Sequence, residues 1–183
     1  MPKIVAQKED WIQLGYQLFS NHGISGIVIE KMAKQLVCNK SSFYWHFKSK
    51  KEFILELIQF WIKMETEQVI QQTENASSPQ EKLEQFLTIA FKNDPYLEFI
   101  YFLKRYASNK PEIQKIIDEV DQRRLGFTSQ LFQELGYPQK EASIKADIFY
   151  KYLIGYHEMI KNKKQPKNYL KSVKSELKHF LDL

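Results

Sequence analysis

Apolar residues recur along this chain at intervals of three and four, and the alternation expected of strands is almost absent. Trp11, Leu14, Leu18 and Phe19 form one stripe, and the helix they predict stops near Asn21-His22-Gly23, where Gly23 takes a left-handed terminal conformation. A short segment follows with Ile29, Met32, Ala33 and Leu36 on one side. Asn39 then stands as the N-cap of a helix over Lys40 to Phe47. Ser49-Lys50-Lys51-Glu52 has the spacing of a capping box, and the stripe behind it, Phe53, Leu57, Phe60, Trp61 and Met64, predicts a helix reaching Gln72. The same punctuation recurs at Ser78-Pro79-Gln80-Glu81, at Asp94-Pro95 and at Asn109-Lys110-Pro111-Glu112. Tyr96 to Ala107 is apolar nearly all round, which predicts a central, buried helix. A helix carrying Ile113, Ile116, Ile117, Val120, Leu131 and Leu135 ends at Gly136, and two more follow over Pro138 to Lys161 and Pro166 to Leu181. The expectation is an all-α protein of about nine helices, without a repeat of 20–50 residues.

Composition narrows the class. With 43% hydrophobic and 27% charged residues among 183, the chain has enough apolar mass for a core. The 6 glycines and 6 prolines argue against collagen-like or turn-dense β architectures. One cysteine, Cys38, rules out a disulfide framework and a cysteine-based zinc module, and reads as a small turn residue rather than a redox sensor. No apolar run approaches the ~18 residues of a membrane span, and MPKIVAQKEDW lacks the apolar core of a signal peptide. A soluble, cytoplasmic protein with no membrane association is expected.

Charge is unevenly placed. Residues 1–51 hold eight lysines against Glu9, Asp10 and Glu30, which accounts for the whole formal excess of +5. The remainder of the chain is balanced, with 19 basic and 19 acidic side chains. Such asymmetry fits a polyanion partner at one end, or an ordinary solvated lysine-rich surface. Residues 29–47 favour the first, because they read as a helix-turn-helix. Ala33 supplies the small residue where two short helices cross, and Leu36, Phe43 and Phe47 seat the second helix on the first. With Phe43 and Phe47 inward, Ser41, Ser42, Trp45 and Lys48 point outward and offer donors, an aromatic ring and positive charge to a DNA major groove. Tyr44 lies at the edge of this face, within reach of a phosphate. Lys50, with the backbone N–H groups that follow Ser49, makes a second anion site at a helix N-terminus.

Gly23, Met32-Ala33, Phe43-Tyr44-Trp45-His46-Phe47 and Lys48-Ser49-Lys50-Lys51-Glu52-Phe53 together resemble the amino-terminal signature of TetR-family transcriptional regulators. The motif resemblance covers about residues 5–60; beyond it only the helical architecture is similar. It implies a three-helix DNA-binding domain over 1–50, a helical effector-binding and dimerisation domain over 51–183, and a homodimer on a palindromic double-stranded operator. Carried over by position, it implies that Asn39, Lys40, Ser41, Ser42 and Trp45 lie at or near base edges. Tyr44, His46, Lys48 and Lys50 would approach phosphates, and His46 alternatively braces the fourth helix. The chain departs from the family at Val37, where a turn glycine is usual, at Ile27-Val28, where a capping Ser or Thr is usual, and at Ser41, where a smaller residue is usual.

Other candidates are weaker. His157-Glu158-Met159-Ile160-Lys161 resembles the zinc-protease HExxH helix, but Lys161 replaces the second ligand, so no metal is expected. No GxSxG, Walker or GxGxxG motif supports a catalytic residue, an enzyme activity or a cofactor. The segment 86–156 is rich in aromatic residues, and phenols suit a flat or greasy ligand. Tyr101, Tyr152, Tyr156 and His157 are the candidate residues for a small apolar or aromatic effector. Phe149, Leu153, Tyr156, Ile160, Tyr169, Leu170, Val173, Leu177 and Phe180 on the last two helices suggest a four-helix dimer interface. Effector entry would tilt the fourth helix and change the spacing of the recognition helices, a coupling of ~1–3 kcal/mol. The rival reading is a helical-bundle enzyme or carrier of a small hydrophobic molecule, acting without DNA.

Overall fold

The structure, a computed structural model, describes residues 6–92, 98–160, 163–179 and 181. Among these there is no strand. The helices are α1 (Lys8–His22), α2 (Ile29–Gln35), α3 (Lys40–His46), α4 (Lys50–Ile62), α5 (Gln68–Glu74), α6 (Pro79–Ala90), α7 (Glu98–Ala107), α8 (Pro111–Glu134), α9 (Gln139–Ile160) and α10 (Tyr169–Leu177). A 3-10 turn, Gly23–Gly26, follows α1, and a π-helical turn, Lys63–Glu67, joins α4 to α5 without a break. Counting that joined segment once, the described residues hold nine helices, in keeping with the expectation of about nine. The chain forms two compact units: residues 1–65 with 95–117, and residues 66–94 with 118–183. The Asp94-Pro95 cap and Tyr96, Lys161, Asn162 and Phe180 lie outside the described residues.

Local chemistry sets most boundaries. The Glu52 N–H donates to Ser49 Oγ at 3.1 Å and the Lys48 N–H donates to Glu52 Oε2 at 2.9 Å, so α4 starts where its capping box stands. Ser78 and Glu81 repeat the arrangement at α6, at 3.2 and 3.1 Å. Gly136, with φ of 101°, ends α8. Gly23 stops α1 with φ 61° and ψ −152°, which is an essentially glycine-only region and not the left-handed helical one. Asn39 occupies the cap of α3 with an extended backbone, but its side chain makes no capping bond.

The first unit is built on an aromatic nucleus. Phe43 of α3 and Phe47, which caps its C-terminal end, are fully buried. Phe43 packs edge-on to Trp11 of α1 at 5.3 Å and to Phe53 of α4 at 5.2 Å, and Phe47 meets Phe53 at 4.8 Å. Ala33 is buried, as the crossing of two short helices requires. On α1 the buried face centres on Trp11, Ile12, Gly15, Tyr16 and Phe19, leaving Leu14 and Leu18 half-buried at its margins. Helix α7 corrects the expectation of an all-round apolar helix. Phe99, Leu103 and Ala107 are buried, while Tyr101, Lys104 and Arg105 are exposed. Its apolar face meets this unit through Phe99, whose ring lies 4.7 Å from both Tyr16 and Phe19.

In the second unit, Phe86, Leu87, Phe91, Leu131, Phe132, Phe149, Val173 and Leu177 form the core. Three residues of the expected dimer stripe, Phe149, Val173 and Leu177, are fully buried within the unit and so are core, and Leu153, Tyr156, Tyr169 and Leu170 pack partly buried against the same core. The apolar residues that α9 leaves exposed are Ile144, Ile148, Ile154 and Met159. Tyr150 donates to Asp121 Oδ1 at 2.6 Å, and burial above all pushes its phenol up to about 12. Because the folded phenol holds its proton more tightly than the unfolded one, this stabilisation is complete below pH ~10 and is lost as pH rises towards 12. Denaturant titrations should show wild-type stability falling by on the order of 2 kcal/mol more than that of Tyr150→Phe over this range.

One strained residue sits in the first unit. Val37, in the turn between α2 and α3, has φ of +52° and is 75% exposed. A β-branched residue there is strained by roughly 1–2 kcal/mol, and glycine's extra chain entropy offsets about half of any relief. Val37→Gly should therefore raise the unfolding free energy by about 0.5–1 kcal/mol and the melting temperature by about 2 °C.

Candidate nucleic-acid interface

With Phe43 and Phe47 turned into the nucleus, the helical period fixes what α3 shows to solvent. Lys40, Ser41, Tyr44, Trp45 and Lys48 are exposed, Trp45 by 78% and Tyr44 by 55%. The indole is held only at its edge, against the His46 ring at 4.8 Å. An exposed tryptophan of this size, next to two hydroxyls and two ammonium groups, has no role in the packing of the domain. It presents apolar area and one N–H donor, the features that read a thymine methyl and a base-edge acceptor.

Two expected contact residues stand differently. Ser42 Oγ donates to the Ala6 carbonyl at 3.3 Å, and His46 Nε2 bonds the same oxygen at 2.8 Å. Both are half-buried on the flank of α3 and anchor the chain leading into α1; the histidine's partner is that segment, not the fourth helix. Nothing in the sequence marks Ala6 for this role, because the residues before α1 carry no periodic pattern. The outward face is thus Lys40, Ser41, Tyr44, Trp45 and Lys48, with Asn39 exposed at its start.

Pairing divides the lysines. Lys8 bonds Glu56 at 2.7 Å, Lys40 reaches Glu30 at 3.3 Å, and Lys51 lies 3.7 Å from Glu112. Exposed pairs of this kind contribute ~0–1 kcal/mol and are readily exchanged for another anion. Among the described residues, the ammonium groups of Lys31, Lys34, Lys48 and Lys50 meet no carboxylate. At the start of α4, the N–H groups of Lys50 and Lys51 meet no acceptor among the described residues. Lys50 therefore joins two unsatisfied donors and the positive end of a 13-residue helix. Val28 caps α2 without a side-chain bond, in keeping with the absence of a Ser or Thr there.

The effector candidates divide between the two units. Tyr101 belongs to the first unit and is exposed, with Arg105 over its ring at 5.9 Å. Tyr152, Tyr156 and His157 belong to the second, around the buried Phe91 ring. There, Tyr152 donates to Glu176 at 2.6 Å, His157 Nε2 bonds the Ala90 carbonyl at 2.7 Å, and Gln165 donates to the Tyr156 hydroxyl at 3.1 Å. Burial, and then the bond to Glu176, raise the Tyr152 phenol well above its ordinary range. Among the described residues, no group of three or more His, Cys, Asp or Glu is placed to hold a metal ion, and no helix is long and apolar enough to cross a membrane.

A helix-turn-helix whose second helix bares a cationic, aromatic face, at the head of an all-helical chain, defines the class as DNA-binding transcriptional regulators. Residues 12–57 match the family described as bacterial regulatory proteins, tetR family. Over that segment the chain is similar to the TetR family, and its fold is that of solved transcriptional regulators. A transcriptional regulator from Rhodococcus sp. Rha1 is similar over 97% of each chain, with a TM-score of 0.76 and 14% identity. A TetR-family regulator from Agrobacterium tumefaciens aligns over 94% of this chain and 96% of its own, with a TM-score of 0.75 and 14% identity. AibR, solved in complex with isovaleryl coenzyme A and operator DNA, covers 94% of this chain and 97% of its own, with a TM-score of 0.70 and 14% identity. No curated protein matches the chain.

Proposed function

We infer that this protein is a ligand-responsive repressor that binds a palindromic operator as a homodimer. The observation that carries the reading is the exposed Trp45 of α3, with Ser41 and Tyr44 exposed on the same helix and Lys48 just beyond it, while Phe43 is buried in the core. Lys40, Ser41 and Trp45, with Asn39 at the cap, read base edges; Tyr44, Lys48 and Lys50 hold phosphates. Ser42 and His46 position α3 through Ala6 and act on DNA through that placement. Residues 1–50 are the DNA-binding part and 51–183 the effector-binding and dimerising part.

Dimerisation is supported by α9, which is apolar on two sides. Ala142, Ala146 and Phe149 fill the core, and Ile144, Ile148, Ile154 and Met159 remain in water. A second copy covering that exposed face is the simplest use for it, and a two-fold operator needs two recognition helices about one DNA turn, ~34 Å, apart or a multiple of it. The effector class rests on the aromatic second unit, with Tyr152, Tyr156 and His157 around Phe91. AibR, with isovaleryl coenzyme A and operator DNA, is a structural neighbour that joins the two kinds of ligand. Effector binding acts on DNA through α4, which carries Lys50 at its first turn.

The test is the salt dependence of DNA binding by the full chain. Fluorescence anisotropy on duplex DNA should give an affinity that falls steeply with salt, each phosphate contact contributing about 0.9 to the log–log slope. Tyr44→Phe should weaken all duplexes alike, by about two- to fivefold. An affinity for DNA that is negligible at low salt, alongside binding of a hydrophobic small molecule, would favour a helical carrier or enzyme instead.

A further inference from the structure

Within the first unit lies a cleft of about 350 Å³, of whose lining the DNA reading uses only Lys50. Its walls are Ile24 from the turn after α1, Ile54 and Leu55 of α4, Tyr106 of α7 and Ile113 of α8. Its charged groups are Lys50, Lys51, Lys110 and Glu112. Ile54 and Ile113 are buried, Ile24, Leu55 and Tyr106 half-buried, so one part of the cleft is hydrocarbon and the other ammonium. Lys51 is partly neutralised by Glu112 at 3.7 Å. Lys110, half-buried, sits over the Tyr106 ring at 4.3 Å, and among the described residues neither it nor Lys50 meets a carboxylate. A half-buried ammonium with only a ring face beside it gains from an anion, because its water is already partly removed.

We propose that this cleft binds the anion of a medium-chain monocarboxylic acid, with the carboxylate between Lys50 and Lys110 and the aliphatic tail on Ile24, Ile54, Leu55 and Ile113. Size and charge select this occupant. The volume stands near the lower end of ligand pockets, ~300–1,000 Å³, which suits a fatty-acid anion and not a coenzyme A thioester. Three ammonium groups against one carboxylate favour an anion, and Glu112 disfavours a second negative charge. Binding would place a carboxylate beside Lys50 and so weaken the phosphate contact assigned to it; that consequence alone rests on the DNA reading.

The experiment is calorimetric titration of the full chain with octanoate in the absence of DNA. Saturable binding at one site per chain is expected, with acetate and octan-1-ol each at least about tenfold weaker, since each lacks one half of the recognition. Lys110→Gln should weaken octanoate about fivefold, and Glu112→Gln, which removes repulsion and releases Lys51, should tighten it about threefold. The opposite signs identify the cleft. No saturable octanoate binding, or Glu112→Gln without tightening, overturns the proposal, and Glu112→Gln decides it alone should Lys110→Gln fail to fold. Because no DNA is present, failure here leaves the operator reading intact, and failure of DNA binding leaves this site intact.

Discussion

Replacing Lys48 and Lys50 together with alanine is expected to lower affinity for duplex DNA at least about 100-fold near physiological salt, whatever the duplex sequence. Both ammonium groups are exposed and neither meets a carboxylate among the described residues, so removing them breaks no internal ion pair and should leave the melting temperature within about 2 °C. Each phosphate contact adds about 0.9 to the salt slope, so the loss also counts subunits. A homodimer with both heads engaged should show a slope shallower by roughly 4 units, a monomer by roughly 2. A double variant with unchanged affinity and slope would remove both lysines from the interface.

The second large effect is on stability. Gly23→Ala should cost about 3 kcal/mol and lower the melting temperature by about 6–12 °C. Two independent penalties meet at this residue. Its φ of 61° with ψ of −152° lies where L side chains are strained, and an added Cβ would stand 2.7 Å from Cδ1 of Phe102. Phe102→Leu should recover part of the second penalty and none of the first, so the double variant should melt between Gly23→Ala and the wild type. Equal melting temperatures for Gly23→Ala and wild type would mean that the turn relaxes freely. The contrast with Val37 is instructive. Among the described residues of the first unit, two backbone positions have positive φ; glycine fills one, and a strained valine fills the other.

These two turns also show what the sequence made legible. Three boundaries set by atoms a few residues apart follow from the local sequence: Ser49 with Glu52, Ser78 with Glu81, and Gly136 each stand where their helices start or stop, whereas Asn39 caps α3 without a side-chain bond. The inward pair Phe43 and Phe47 also follows from spacing, and it leaves Trp45 outside. Directions that depend on a distant partner were not legible. Helix α9 has apolar residues on opposite sides, and periodicity does not say that Phe149 enters the core while Ile148 stays in water. The α7 segment looks uniformly apolar until Lys104 and Arg105 are placed on one side of it. Ser42 and His46 turn towards Ala6, an oxygen about 40 residues away along the chain that no local pattern announces. The cleft at Lys110 is assembled from three separate stretches of chain, so no single motif encodes it.

The identity of the DNA sequence bound is the most direct test of the α3 face. Full-length protein and Trp45→Ala should each be used to select duplexes from a random pool, and the enriched sites compared. The account predicts that the wild type enriches an inverted repeat with half-sites one helical turn, or a multiple of it, apart, and that Trp45→Ala changes the preferred bases within each half-site by an equivalent of ~1–3 kcal/mol. Recovery of the same site at the same affinity by both proteins, or of no site by either, would contradict it.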